Sequence, residues 1–156
     1  MKTVITSIAA ALVLAGTAAG EESISIEPGQ WSFDNTMSGS LNMGGGQTMA
    51  MPSRTTSSSE CVTPEDATIT PERMIEEMEE DGGNECAYGD IDFSGRTMST
   101  TITCTSDGIE MVGDYTFTVS EDRRAGTGSM EMTGTMNGMT MESSFVMEGE
   151  LTGPCG

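Results

Sequence analysis

An all-β antiparallel fold carrying one short helix is what this sequence predicts, and three features predict it. From Ser23 onward, short runs alternate apolar and polar residues between Gly, Asn, Asp and Ser, with Thr abundant throughout. That period of two belongs to half-buried strands rather than helices. Asn137-Gly138 lies between two such runs, and the dipeptide favours a two-residue hairpin turn because both positions accept positive φ. Four cysteines in a small acidic chain of 156 residues read as two disulfides stapling a thin core. The expected architecture is a meander of about seven strands, curved into an open barrel or a sandwich.

Residues 1–20 place Lys2 ahead of an apolar stretch from Val4 to Leu14 and close on the small residues Ala15 to Gly20. This charged, apolar and small order predicts a secretory signal peptide. The apolar stretch is shorter than the roughly 20 residues that cross a bilayer, and Glu21-Glu22 follows it directly. With no cysteine near the cleavage region, lipid attachment is not expected, and residues 21–156 should form a single soluble domain, periplasmic or secreted. Its five arginines stand against 25 acidic residues with no lysine, a net charge of −20.

Within that domain, strands are predicted near 29–39, 46–58, 89–94, 97–104, 109–119, 127–136 and 139–150. Gly44-Gly45-Gly46 reads as the turn between the first two. A phosphate loop is excluded there, because no Lys-Ser/Thr follows and no helix opens. The helix is predicted over about ten residues from Thr70 as N-cap, with Pro71 first and Gly82 as the stop. Met74, Ile75 and Met78 mark its apolar side, and Glu72, Glu76, Glu77, Glu79 and Glu80 its wet side. The Asn137-Gly138 turn sets a register of 136 with 139, 134 with 141, 132 with 143 and 130 with 145. That register puts Met130, Met132, Met136, Met139, Met141, Phe145 and Met147 on one face, and Glu131, Thr133, Glu142 and Glu148 on the other.

The cysteines Cys61, Cys86, Cys104 and Cys155 admit three pairings. Cys61 and Cys86 bracket the helix, and the penultimate Cys155 can pin the chain end to the strand of Cys104, so 61 with 86 and 104 with 155 is preferred. Gaps of 25, 18 and 51 without any histidine argue against zinc. The absence of a Cys-x-x-Cys pair argues against disulfide exchange.

A formal net charge of −19 repels phosphate backbones and anionic headgroups, so neither nucleic acid nor a membrane surface is an expected partner. With no histidine in the chain, Ser-His-Asp and Cys-His catalysis are excluded. Carboxylate pairs such as Asp90 with Asp92, or Asp114 across a strand, are what chance provides among 25 acids. A non-enzyme without a cofactor is expected. The acidic loop Glu79 to Glu85 offers oxygens for Ca²⁺ but lacks the ordered alternation of an EF-hand. Of the 15 methionines, 14 follow residue 20, and several form Met-x-Met pairs: Met49 with Met51, Met130 with Met132, Met139 with Met141. Strand alternation alone turns such pairs to one side, where Met fills irregular core gaps. The rival reading is a Cu(I) site at Met130, Met132, Met139 and Met141, because thioethers are soft ligands.

Pro28-Gly29-Gln30-Trp31, Met51-Pro52, Cys61-Val62-Thr63-Pro64-Glu65, Cys86, Cys104 and Gly153-Pro154-Cys155 together resemble an uncharacterised bacterial secreted family, domain of unknown function 3617. The resemblance covers roughly residues 24–156 and implies an exported setting and a disulfide pattern, with no activity or ligand attached. Gly29 to Trp31 is also similar to the opening strand of lipocalin-like barrels, although Trp31 reads first as a core aromatic. The function expected is an exported binding or interaction module that holds a small apolar ligand or an envelope partner on a concave, Met-rich face. Trp31, Met130, Met132, Met136, Met139, Met141 and Phe145 are the candidate ligand-face residues. The alternatives are Cu(I) handling and a purely structural envelope role, and methionines that were all buried would remove both ligand readings.

Overall fold

The computed structural model describes residues 23–81, 85–106 and 108–156. The expected signal peptide, the helix stop at Gly82 and the centre of the acidic loop lie outside them. Among the described residues, ten strands and one helix follow in order: β1 (Ile24–Ser25), β2 (Gly29–Asn42), β3 (Thr48–Val62), β4 (Thr68–Ile69), α1 (Pro71–Asp81), β5 (Glu85–Tyr88), β6 (Asp92–Ser94), β7 (Thr97–Ser106), β8 (Ile109–Val119), β9 (Ala125–Met136) and β10 (Met139–Gly153). The fold is mostly β, as the alternation requires. Of the strand expected near 89–94 only the end forms, as β6, and an unexpected short strand, β5, precedes it; both pair with β7.

The large sheet is antiparallel with the order β3-β2-β10-β9-β8-β7-β5. From β7 to β10 it is the expected meander, and β10 then accepts the amino-terminal hairpin through β2. Strands β3 and β5 end the sheet and do not pair with each other, so it stays open. The β9–β10 register matches the hairpin prediction at all four pairs, from Met136 with Met139 to Met130 with Phe145. Asn137 and Gly138 take φ of 50° and 80°, the conformation that a type I′ turn needs.

The cysteines pair differently from the preferred assignment: Cys61 joins Cys155 and Cys86 joins Cys104. Cys86 and Cys104 occupy the same rung of the β5–β7 ladder, with Cα atoms 4.0 Å apart. Cys61 and Gly153 both face Gln30 from opposite sides. The edge of β3 and the end of β10 therefore meet at one rim, and Cys155 falls there with its Cα 5.5 Å from that of Cys61. Proximity here comes from strand order, which sequence spacing does not report.

Without a flanking disulfide, α1 is held by its cap and its packing. The Arg73 N–H is 3.4 Å from Thr70 Oγ1, as an N-cap requires, and Met74 is buried in the core. Arg73 also pairs with Asp66 and donates to the Glu65 carbonyl at 2.7 Å. The two-residue strands β1 and β4 pair with each other and lie with α1 over one end of the large sheet. Ile24, Met74, Met98, Phe117 and Val119 form one core cluster, and Trp31, Val62 and Ala67 a second, joined through Ile26. Trp31 is 1% exposed, and its indole N–H donates to the Glu27 carbonyl at 2.8 Å. Two glycines opposite each other, Gly126 and Gly149, leave room for rings. A Cβ at either would come within 2.8 Å of Phe117 or Phe33 respectively.

Candidate functional site

In an antiparallel sheet, directly opposed residues project to the same face. One face can therefore be followed across the sheet from Leu41 and Met49 through Met141 and Gly134 to Met111, and from Met37 through Phe145 and Met130 to Tyr115. This is the same face whose other end carries Trp31, Phe117, Val119 and Met98 beneath the cover of β1, β4 and α1. The apolar face is continuous, but its cover is not. Among the described residues the core clusters stop at Met147, and beyond it large apolar side chains stand open: Met37 is 59% exposed, Met49 55%, Met51 41% and Met136 39%.

The candidate residues divide along this axis. Trp31 belongs to the covered core, as does the half-buried Met147 at its margin. Met132 is 8% exposed, opposite Gly113 and Ser143, and Met130 is half-buried between Phe145 and Tyr115. Met139 and Met141 are half-buried near the far end, and Met136, opposite Met139, is exposed. The four methionines of the Cu(I) reading therefore fall into an inner pair, 130 and 132, and an outer pair, 139 and 141. Sequence reasoning passed over Met37, Met111 and the pair Met49 and Met51 as face residues. Met37 and Leu41 do keep the period of two along β2, but only the pairing of β2 with β10 puts them beside the β9–β10 hairpin.

The opposite face is polar. It carries a shallow groove of about 540 Å³ lined by Ser38, Ser40, Glu131, Thr133, Glu142 and Ser144 among others. Ser40 donates to Glu142 at 3.1 Å. Two rungs on this face set like charges against each other, Asp34 against Glu148 and Asp114 against Glu131, an arrangement that costs stability unless salt screens it. Hydroxyls soften it: Ser57 donates to Asp34 and Thr101 donates to Asp114 at 3.2 Å. Asp90 and Asp92 are exposed near β6. Among the described residues, no three Cys, Asp or Glu side chains are grouped to hold a metal ion.

Among the described residues, three titratable groups are displaced from their ordinary range. Hydrogen bonds from Thr63 and then Arg73 hold the Asp66 carboxyl low, and bonds from Ser120 and the Arg124 backbone do the same for Asp122. Burial pushes the Tyr115 hydroxyl up to about 12. None of the three lies in the open Met region. Asp66 orients α1, Asp122 shapes the β8–β9 turn, and Tyr115 marks the boundary between covered and open face.

Among the described residues, no helix is long and apolar enough to cross a membrane. No curated protein and no solved structure matches the chain. A family does match, described as a protein of unknown function (DUF3617), over residues 26–155. That span runs from the residue joining the two core clusters to the last cysteine of the rim disulfide. With nearly the whole described fold inside the match, the chain belongs to the DUF3617 family.

Proposed function

We propose that this protein is an exported, soluble, non-enzymatic binding or interaction module, acting in the periplasm or outside the cell. Its guest is a small apolar ligand or an apolar segment of an envelope partner. One observation carries the reading: the apolar sheet face continues past its cover and ends in exposed Met37, Met49, Met51 and Met136. Exposed apolar surface of this kind favours association, and methionine, unbranched and polarizable, moulds to varied partners. Two disulfides suit an oxidising compartment. The acidic reverse face keeps copies of the chain apart, so the open face stays available.

Titration of the oxidised protein with an environment-sensitive apolar dye tests this reading. Saturable binding, weakened at least about fivefold in a Met37→Ser, Met49→Ser double variant with an unchanged urea midpoint, is the expected result. Binding that the double variant leaves intact, or no saturable binding at all, would overturn it.

A further inference from the structure

We propose that the four methionines around Gly134, namely Met111, Met136, Met139 and Met141, form a binding site for a soft monovalent cation of the Cu(I) class. The site lies on the open face and rests on the reading above for its accessibility. Its geometry comes from the register. Gly134 stands directly opposite Met141 on β10 and Met111 on β8. Met136 follows two residues later on β9, on the same face, and Met139 is its direct partner.

The glycine makes the centre of the group. A Cβ at Gly134 would lie 2.5 Å from the Met111 sulfur, so that thioether is folded over the glycine, whose other direct partner on this face is Met141. Neighbouring strands lie about 4.8 Å apart, and each methionine has three rotatable bonds. Sulfurs from β8, β9 and β10 can therefore converge above Gly134. Met136 is 39% exposed and the other three are half-buried, which leaves the centre reachable from solvent.

Ligand chemistry then selects the ion. Neutral thioethers favour Cu(I) over zinc, calcium or magnesium. The chain has no histidine, and both cysteine pairs are oxidised, so thioethers are the soft neutral ligands it offers. Hard carboxylates stay off the site: Glu131 and Glu142 occupy the opposite face. Their charge still raises the local concentration of cations. The site is displaced by one step from the quartet that spacing suggests. Met130 is wedged between Phe145 and Tyr115, and Met132 is buried, whereas Met111 and Met136 complete the outer pair.

The probe is Ag(I), a redox-inert stand-in for Cu(I), added as its nitrate in chloride-free buffer to the oxidised chain labelled with ¹³C at its methionine methyls. The disulfides must stay closed, because Cys104 is the direct partner of Met111 on β7 and a freed thiolate there would compete for the ion. The methyls of Met111, Met136, Met139 and Met141 are expected to shift together and to saturate at one equivalent, while buried Met98 and Met74 stay in place. A Met111→Leu, Met141→Leu double variant, which conserves volume, should lose at least about tenfold in silver affinity with its urea midpoint retained. Shifts that include Met37 and Met49 without saturation, or a double variant that binds as well as the parent, would overturn the site. If the apolar dye still binds saturably while silver does not, the binding face stands and the metal assignment alone falls.

Discussion

The two ends of the large sheet are built from the same strands and share one apolar face, yet they differ in what lies above it. At the covered end, β1, the turn before β4 and α1 bring Ile24, Ala67 and Met74 down onto Trp31, Phe117 and Val119, and rings occupy the space over Gly126 and Gly149. At the open end, no core cluster lies over the face among the described residues, and its place is taken by exposed methionine. Glycines recur at both ends with different tenants: aromatic rings over Gly126 and Gly149, a thioether over Gly134. A ring fixed in a glycine hollow has few alternatives and makes a core. A thioether in the same hollow has three rotatable bonds and makes a surface that can rearrange around a guest.

The sharpest way to break this comparison is to remove the staple at the covered rim. Cys61 and Cys155 are 94 residues apart and Cys86 and Cys104 only 18. Loop-closure entropy assigns about 4.6 kcal/mol to the first closure and about 3.2 kcal/mol to the second. The Cys61→Ala, Cys155→Ala variant should therefore show the larger drop in urea midpoint, and an equal or reversed order would show that strain or residual structure, rather than loop length, dominates. Next in size, Trp31→Ala at the covered end should cost about 3–5 kcal/mol. Met49→Ala at the open end should change stability by no more than about 0.5 kcal/mol. A comparable cost at both positions would mean that the open end is packed after all.

The boundary between the two ends carries its own signature. Tyr115 is raised from 10 to about 12 by burial, so the folded state holds its proton more tightly than the unfolded chain does. Its contribution is complete below pH 10 and is lost as the pH climbs from 10 towards 12, on the order of 3 kcal/mol in all. Chemical denaturation across that window should show stability falling with pH, and Tyr115→Phe should flatten the slope attributable to this hydroxyl. An unchanged slope in the variant would show that Tyr115 is solvated in the native state.

Several local features were legible before any fold was known. The Asn137-Gly138 turn set the β9–β10 register, because a type I′ turn leaves the flanking strands one alignment. Thr70 and Pro71 marked the start of α1, since capping chemistry is local. The strands β1 and β4 were not legible, because two residues carry no periodicity. The disulfides were misassigned for a related reason. Bracketing the helix made Cys61 and Cys86 look like neighbours, but Cys86 lies across a ladder from Cys104, and Cys61 lies at a rim that the chain end reaches through β10. Part of the open face was legible too, since Met130 to Met147 alternate on one hairpin, whereas Met37 and Met111 join it only through ladders to other strands.

By itself the sequence determined the strand-rich class, the polarity of each strand's two sides and the absence of imidazole chemistry, all of which follow from alternation and composition within a few residues. Only the tertiary structure decided which cysteines meet, which half of the apolar face is covered and which methionines surround Gly134. Those outcomes depend on strand order and register between segments far apart in the chain, and a period of two says which way a side chain points without saying what stands opposite it.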